Sequence, residues 1–200
     1  MAREIERWVT WKGRRIPIYK DTGEVKSLEE KAKGINPNFK KDASIYDKEG
    51  YNNNCVQCAI AVEAMLRGED VEANPFKFGD SDTLHKSKSP AEAFGTKMSR
   101  DGWEVSGNRD KVIEDIEYFM KEDFGEGSRA IYQSSSPTSK HTINIINDGG
   151  KIIFIDGQNG IIGSGKKVMA GMKTFHGEIL RVDDKEIDPE YANWAYRRRK

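Results

Sequence analysis

The segment 51–68, YNNNCVQCAIAVEAMLRG, constrains the fold more than any other part of the chain. Three asparagines precede a run of apolar residues at helical spacing. Asparagine caps helices because its side-chain oxygen accepts a bond from a free backbone N–H group of the first turn. Gly68 suits the left-handed position that follows a helix. The segment therefore predicts a helix over residues 55–67, with one apolar stripe made of Cys55, Cys58, Ala59, Val62 and Leu66.

Cys55 stands in the first turn of this predicted helix. Free N–H groups and the helix dipole favour an anion at that place, and so they favour a thiolate. Most free cysteines are instead small buried hydrophobic residues. Cys55 is therefore a candidate nucleophile with packing as the alternative role, and Cys58, one turn deeper, is predicted to be structural.

The composition restricts the class of protein. The 200 residues include 33 acidic and 33 basic side chains, so no net field attracts nucleic acid or an anionic membrane. No apolar run approaches the roughly 20 residues that span a bilayer, and the opening MAREIERWVT has charges where a signal peptide needs its apolar segment. Two cysteines three positions apart do not make a disulfide framework. We expect a soluble protein that binds neither nucleic acid nor membrane.

The patterns divide the chain into two parts. Residues 8–19 alternate apolar and polar side chains and indicate a short hairpin, and the capping-box sequence SLEE at 27–30 indicates a short helix. A polar stretch rich in Asn, Lys, Asp and Gly follows and reads as loop. We place residues 1–41 in an N-terminal appendage and residues 42–200 in the main domain.

The main domain carries helix signals first and strand signals afterwards, which indicates an α+β fold with N-terminal helices packed on an antiparallel sheet. Ser89-Pro90 and Asn108 have the chemistry of helix starts. The arginine-rich residues 197–200 are predicted to be a solvated end or a tag-like extension. Four strands and a last helix are predicted over residues 128–133, 141–147, 151–156, 174–182 and 189–197.

Two glycines fix the register of one predicted hairpin. Gly-Gly between β-branched runs is a good two-residue turn, and it pairs Asp148 with Lys151. In that register His141 lies opposite Gln158 and diagonal to Asp156, so the three side chains share one face. A three-residue loop would move Asp156 to the other face. With the two-residue turn, a carboxylate can orient an imidazole, which is half of a nucleophilic triad.

Each of these residues also has an ordinary structural interpretation. A histidine at the start of a strand is commonly a surface residue, and Asp-Gly is a common turn dipeptide. The combination favours function, because a helix-terminal cysteine followed by a histidine and an aspartate on paired strands is the papain-like order. Zinc or redox chemistry at the CVQC sequence fits less well. The chain lacks a second pair of cysteine ligands, and no apolar strand precedes the motif.

Three segments carry a family resemblance: NCVQCAIAVEAMLRG at 54–68, HTINIINDGGKIIFIDGQNG at 141–160 and GEILRV at 177–182. Together they resemble the papain-fold toxin family of glutamine deamidases, which are toxin domains of bacterial polymorphic toxin systems. The resemblance runs from about residue 51 to the C-terminus. Separately, the opening WVTWKGRRIPI resembles segments of phage head-morphogenesis proteins, to which such toxin domains are sometimes joined.

The resemblance implies a papain-like cysteine hydrolase fold for residues 42–200. It implies Cys55 as the nucleophile, His141 as the base and Asp156 as the orienting acid. It implies neither a cofactor nor a metal. The candidate contacts to substrate or oxyanion are Asn53, Asn54 and Gln158.

The implied activity is deamidation of glutamine side chains in a target protein. A cysteine protease of the same fold is the nearest alternative, because the same machinery cuts peptide bonds. A non-enzymatic phage-particle component or binding module is the alternative from another class. The expected partners are the target protein and an immunity protein, and the expected setting is delivery into a target cell or association with a phage particle.

Overall fold

The computed structural model describes residues 5–11, 14–19, 28–40, 49–76, 89–135, 140–172 and 176–199. The strands in these ranges are β1 (Ile5–Trp11), β2 (Arg14–Tyr19), β3 (Val71–Ala73), β4 (Trp103–Val105), β5 (Arg129–Ser135), β6 (Lys140–Asp148), β7 (Lys151–Asp156), β8 (Ile161–Gly163), β9 (Gly177–Arg181) and β10 (Tyr196–Arg198). The α-helices are α1 (Leu28–Lys33), α2 (Cys55–Leu66), α3 (Met98–Asp101), α4 (Arg109–Tyr118), α5 (Gly165–Val168) and α6 (Pro189–Ala195). Two short 3₁₀ helices cover Pro90–Phe94 and Met169–Gly171, and a π-helix covers Phe119–Phe124.

Six strands form one antiparallel sheet in the order β4-β9-β5-β6-β7-β8. Its two faces carry separate hydrophobic cores because side chains alternate along each strand. One core joins helix α2 to side chains such as Ile131 and Ile155. The other core joins helix α4 to Tyr132 and Phe154, which are adjacent in sequence to Ile131 and Ile155 and point to the opposite face of the sheet. The predicted α+β class, with helices packed on an antiparallel sheet, is confirmed.

Helix α2 is the central helix of the first core. It ends as predicted, because Gly68 adopts a left-handed φ of 94° and its N–H group donates to Met65 O at 2.9 Å. The predicted single apolar stripe is wrong. Every residue from Gln57 to Ala64 is buried, since the sheet covers one side of the helix while β3, α6 and the Pro90–Phe94 turn cover the rest.

The β6–β7 hairpin has the predicted register. Asp148 lies opposite Lys151 and Asn144 lies opposite Ile155. Gly149 and Gly150 both have positive φ, 60° and 88°, which is the backbone that a two-residue turn of this kind requires.

The other predicted helix starts are also found. Ser89 accepts from Ala91 N at the Pro90–Phe94 turn, and Asn108 Oδ1 accepts from Lys111 N at 3.0 Å at the start of α4. In the N-terminal hairpin, β1 and β2 pair antiparallel as predicted.

The C-terminal segment differs from the prediction. Helix α6 ends at Ala195 and not at 197, and the chain continues as β10, which pairs with β3. The side chains of Arg197 and Arg198 are exposed, but both residues belong to β10 and pair with Glu72 and Glu69, each at 2.7 Å. A local pattern could not reveal this strand because its partner lies more than 120 residues earlier.

Residues 28–40 pack against the core that contains helix α2. The predicted short helix is present as α1, although Ser27, its predicted cap, lies outside the described residues. Ala32 and Ile35 are fully buried in the core of α2. The domain boundary after residue 41 stays a prediction. None of the helices in the described ranges is long and apolar enough to cross a membrane.

Candidate active site

Three predicted site residues meet at the N-terminus of helix α2. Cys55 is its first residue. His141 is the second residue of β6, and Asp156 is the last residue of β7. The distance from His141 Nε2 to Asp156 Oδ2 is 2.8 Å, and the Cys55 side chain is the other group that acts on the pKa of the His141 ring by a hydrogen bond and by its charge. The hairpin register thus joins the histidine and the aspartate, and the packing of α2 adds the cysteine.

These contacts change the proton affinities of the pair. Burial by itself lowers the pKa of His141. Hydrogen bonds to Asp156 and Cys55 and their negative charges outweigh it and raise the pKa to about 10. Burial by itself raises the pKa of Asp156. The hydrogen bond and charge of His141, together with bonds from Asn159, hold it below its usual range. At neutral pH the pair is therefore an imidazolium and a carboxylate.

The Asp156 carboxylate is fixed by the turn that follows it. Its Oδ1 accepts from the backbone N–H groups of Gln158 and Asn159, at 3.0 and 3.1 Å. The Asn159 side-chain amide donates to Oδ2. Asp156-Gly157 thus forms a turn, as the ordinary structural interpretation expects, and Asp156 also hydrogen-bonds His141. Asn159 was missed as a contact, although an Asp-initiated turn is the local signal that points to it.

Gly157 brings this turn against the helix. A Cβ atom at Gly157 would lie 2.5 Å from Val62 Cγ2 and 3.3 Å from Cys58 O. Contacts that short leave no room for a side chain. The absence of one lets the Asp156 end of β7 approach helix α2 closely.

Asn54 is placed differently from its prediction. It is the N-cap residue by position, but its side chain makes no cap hydrogen bond. Instead its Nδ2 donates to Asn74 O at 3.0 Å and to Asn36 Oδ1 at 3.3 Å. The side chain is completely buried. The cap that the sequence predicted is therefore wrong, because tertiary partners take the amide.

The other two predicted contacts flank the site. Gln158 is 8% exposed, and its Nε2 reaches Asn54 Oδ1 at 3.5 Å. Asn53 is half-buried and directly precedes the cap residue. Among the described residues, no group of three or more His, Cys, Asp or Glu side chains could hold a metal ion.

Asn36 is a further polar residue of this region, and no local pattern in the sequence indicates its position there. Its side chain contacts Asn54 and the backbone of Gln158. It lies in the polar stretch of the predicted appendage, 122 residues before Gln158, and no local pattern reports a contact over that separation.

Comparison with known proteins gives one family. The family model described as "Papain fold toxin 1, glutamine deamidase" matches residues 53–161. That span is more than half of the chain, and it includes Cys55, His141 and Asp156. No curated protein and no solved structure matches the chain.

Proposed function

The chain belongs to the papain fold toxin 1 family of glutamine deamidases, and from this premise we propose that Cys55, His141 and Asp156 are its catalytic residues. The family makes the chain a hydrolase with the papain fold, and it implies a protein substrate. The proposed reaction converts a glutamine side chain of a target protein and water into glutamate and ammonia.

One observation carries the assignment of residues. His141 Nε2 lies 2.8 Å from Asp156 Oδ2, Cys55 is the other group that acts on the same imidazole ring, and Cys55 begins a helix. A nucleophile in contact with a base that a third group orients is the arrangement of a nucleophilic triad. The three residues lie in three different elements. Their proximity therefore results from the fold and not from closeness in the sequence.

In the first half of the proposed reaction, the Cys55 thiolate attacks the carboxamide carbon of the substrate. The helix N-terminus and the His141 imidazolium both place positive charge beside the attacking sulfur. A C–S bond forms, and the carbonyl oxygen becomes an oxyanion. His141 then gives its proton to the departing nitrogen, the C–N bond breaks, and ammonia leaves a thioester on Cys55.

In the second half, neutral His141 takes a proton from water, and the resulting hydroxide attacks the thioester carbon. The C–S bond breaks, a glutamate side chain is released, and the Cys55 thiolate and the His141 imidazolium are restored. Asp156 does not exchange protons. It holds the imidazole ring in place and stabilises its positive form.

The helix N-terminus also supplies the proposed oxyanion site. The first intrahelical bond of α2 runs from Cys58 N to Asn54 O, so the N–H groups of Cys55, Val56 and Gln57 have no partner within the helix. The N–H group of Cys55 is the proposed oxyanion donor, with Asn53 beside it. Asn54 and Gln158 are not proposed to contact the oxyanion directly, because their side-chain amides bond to other groups in the buried cluster. They support the site by holding its backbone in place.

The test is intact-mass spectrometry of candidate target proteins after incubation with the wild-type chain and with Cys55→Ser. We expect the mass increase of an amide-to-acid conversion with the wild-type chain alone, and peptide mapping should place it on glutamine. Fragments of the target would indicate a cysteine protease instead. A target bound without any change of mass would indicate a binding module.

Membership of a toxin family also leads us to propose an immunity protein and delivery into a target cell. Co-expression with the product of a neighbouring gene tests the first. We expect such a protein to restore growth of cells that express the wild-type chain and to make no difference with Cys55→Ser, which should not be toxic. Toxicity of Cys55→Ser would contradict an enzymatic mode of action.

A further inference from the structure

A cluster of buried amides joins the two segments that carry the candidate catalytic residues. Asn54 directly precedes Cys55, and Gln158 follows Asp156 by two positions. Their side chains meet at 3.5 Å. Between them lies Asn36, which is only 5% exposed.

The Asn36 side chain contacts three segments. Its Nδ2 atom lies 2.9 Å from Tyr51 O, 3.1 Å from Gln158 O and 3.2 Å from Asn54 Oδ1. Its Oδ1 atom accepts from Asn54 Nδ2 at 3.3 Å. An amide nitrogen has two hydrogens to share among three acceptors, while its oxygen serves one donor. A primary amide therefore suits this place, since neither a carboxylate nor an aliphatic side chain can both donate and accept there.

The backbone beside Asn36 is held independently of its side chain. Ile35 O accepts from Ala73 N at 2.8 Å, and the guanidinium of Arg199 donates to Gly34 O. A Cβ atom at Gly157 would lie 3.4 Å from Ile35 Cγ2, so the same segment packs against the Asp156-Gly157 turn. The amide of Asn36 thus reaches the site from a fixed support.

We propose that Asn36 is a positioning residue that holds the start of helix α2 and the turn after Asp156 at the separation that lets His141 bridge Cys55 and Asp156. The proposal rests on the proposed function for the roles of those three residues. It extends the functional unit beyond the family-matched span, because Asn36 lies 17 residues before residue 53. A neutral amide does this without adding a charge beside the thiolate and the imidazolium.

The decisive variant is Asn36→Asp, which keeps the shape but replaces the donor with a carboxylate oxygen facing three acceptors. Its matched control is Asn147→Asp. Asn147 is also buried, and its amide uses both ends, with Nδ2 donating to Met120 O at 2.8 Å and Oδ1 accepting from Gly150 N at 2.9 Å. It lies at the opposite end of β6 from His141.

The experiment measures the rate of iodoacetamide labelling of Cys55 against pH, and kcat and KM for a glutamine peptide, in the full chain. Misplacement of reacting groups on the ångström scale costs about 10- to 100-fold in rate. We expect a loss of that size in kcat for Asn36→Asp, with KM little changed, slower labelling at neutral pH and a shifted labelling profile. Asn147→Asp should lose stability but keep the wild-type labelling profile and kcat.

Three results would overturn the proposal: a folded Asn36→Asp with the wild-type labelling profile, an equal change in Asn147→Asp, or a loss confined to KM. Asn36→Ser, which keeps one donor, should fold more readily and fall between wild type and Asn36→Asp. If neither variant of Asn36 folds, Asn36 is a folding residue and the proposal fails. Labelling needs no substrate. A wild-type chain that labels as expected but releases no ammonia therefore contradicts the deamidase proposal and not the positioning role.

Discussion

The two ends of helix α2 are both surrounded by buried polar groups, but different groups hold them. At the N-terminal end, neutral amides from Asn36, Asn54 and Gln158 bond to one another, and the side chain of the N-cap residue Asn54 does not cap the helix. Toward the C-terminal end, Glu63 is completely buried between two guanidinium groups.

The charged end is the anchor. Glu63 Oε1 lies 2.8 Å from Arg67 Nε and 3.0 Å from Arg129 Nη2. Arg67 also donates to Val182 O and Lys185 O, at 3.0 and 2.7 Å. These bonds tie the helix to β5 and to the chain after β9. Glu63 is about 12 Å along the helix from Cys55, at 1.5 Å per residue.

The difference shows how one helix serves both stability and chemistry. A carboxylate cap at the N-terminal end would occupy the free N–H groups and repel a thiolate. Amides that face away from the helix hold its start and leave those groups available. The charges that fasten the helix stand two turns away from the thiol. We therefore expect changes at the two ends to separate activity from stability.

The largest expected effect is on activity, from Cys55→Ser. Removal of a nucleophile costs orders of magnitude in kcat, and the side chain is only partly buried, so the fold should remain. The measurement is ammonia release from a glutamine substrate, with circular dichroism as the check on folding. Wild-type kcat in the variant would show that Cys55 is not the nucleophile.

At the other end, Glu63→Gln should act mainly on stability. It leaves Arg67 and Arg129 without their shared counter-ion, and breaking a buried ion pair on one side costs about 3 kcal/mol or more of unfolding free energy. Urea unfolding measures the loss, and kcat of the folded fraction should stay near wild type. Glu29→Gln is the matched control, because its pair with Lys33 is exposed and its loss should hardly change stability. A large fall in kcat for folded Glu63→Gln would contradict the assignment of stability to this end of the helix and activity to the other.

Gly157→Ala should lower both stability and activity. Gly157 packs against the middle of helix α2, and it directly follows Asp156 in the chain. The new Cβ atom meets Val62 Cγ2 at 2.5 Å, and overpacking of this kind costs about 1–3 kcal/mol. The displaced turn should also lower kcat.

The matched control for this variant is Gly171→Ala. A Cβ atom at Gly171 would meet nothing within 4 Å, so this substitution should be close to neutral in both unfolding free energy and kcat. A neutral Gly157→Ala would show that the turn has room to move and that its close approach to α2 does not fix the position of Asp156.

The pH dependence of stability should come from the active-site end. The pKa of His141 is raised from 6.5 to about 10 in the folded chain, so the stability it contributes is complete below pH 6.5 and is lost as the pH rises through about 10. A hydrogen bond between two opposite charges then becomes one from a neutral imidazole to the Asp156 carboxylate, and the attraction between the charges is lost. We expect the stability difference between wild type and His141→Gln to shrink over this interval in urea unfolding. A difference that stays constant from pH 6 to pH 10 would contradict the raised pKa.

Local chemistry predicted the elements of the site, and long-range packing decided how they are held. The Gly149-Gly150 turn is enough to pair the strands of His141 and Asp156, because a two-residue loop has one register. The Asn54 side chain could not be predicted, since it leaves the helix for partners at positions 36 and 74. Nothing local indicated that Glu63 is buried either. Its pair with Arg67 has ordinary helical spacing, whereas Arg129 lies 66 residues away and only the fold brings it to Glu63.

The smallest expected effect is that of Cys58→Ala, which tests whether position along the helix separates the two cysteines. Cys58 is buried in the core of α2, whereas Cys55 is partly exposed. Burial, together with the charges of Cys55 and Asp156, raises the pKa of the Cys58 thiol well above its ordinary value. Cys58 should therefore stay a thiol and label slowly, and its truncation should cost about 1 kcal/mol for a small cavity with kcat little changed. Iodoacetamide labelling and peptide mapping at neutral pH should modify Cys55 first. Faster labelling of Cys58, or loss of activity in folded Cys58→Ala, would reverse the assignment, because the reactive thiol would then lie one turn inside the helix and not at its free N–H groups.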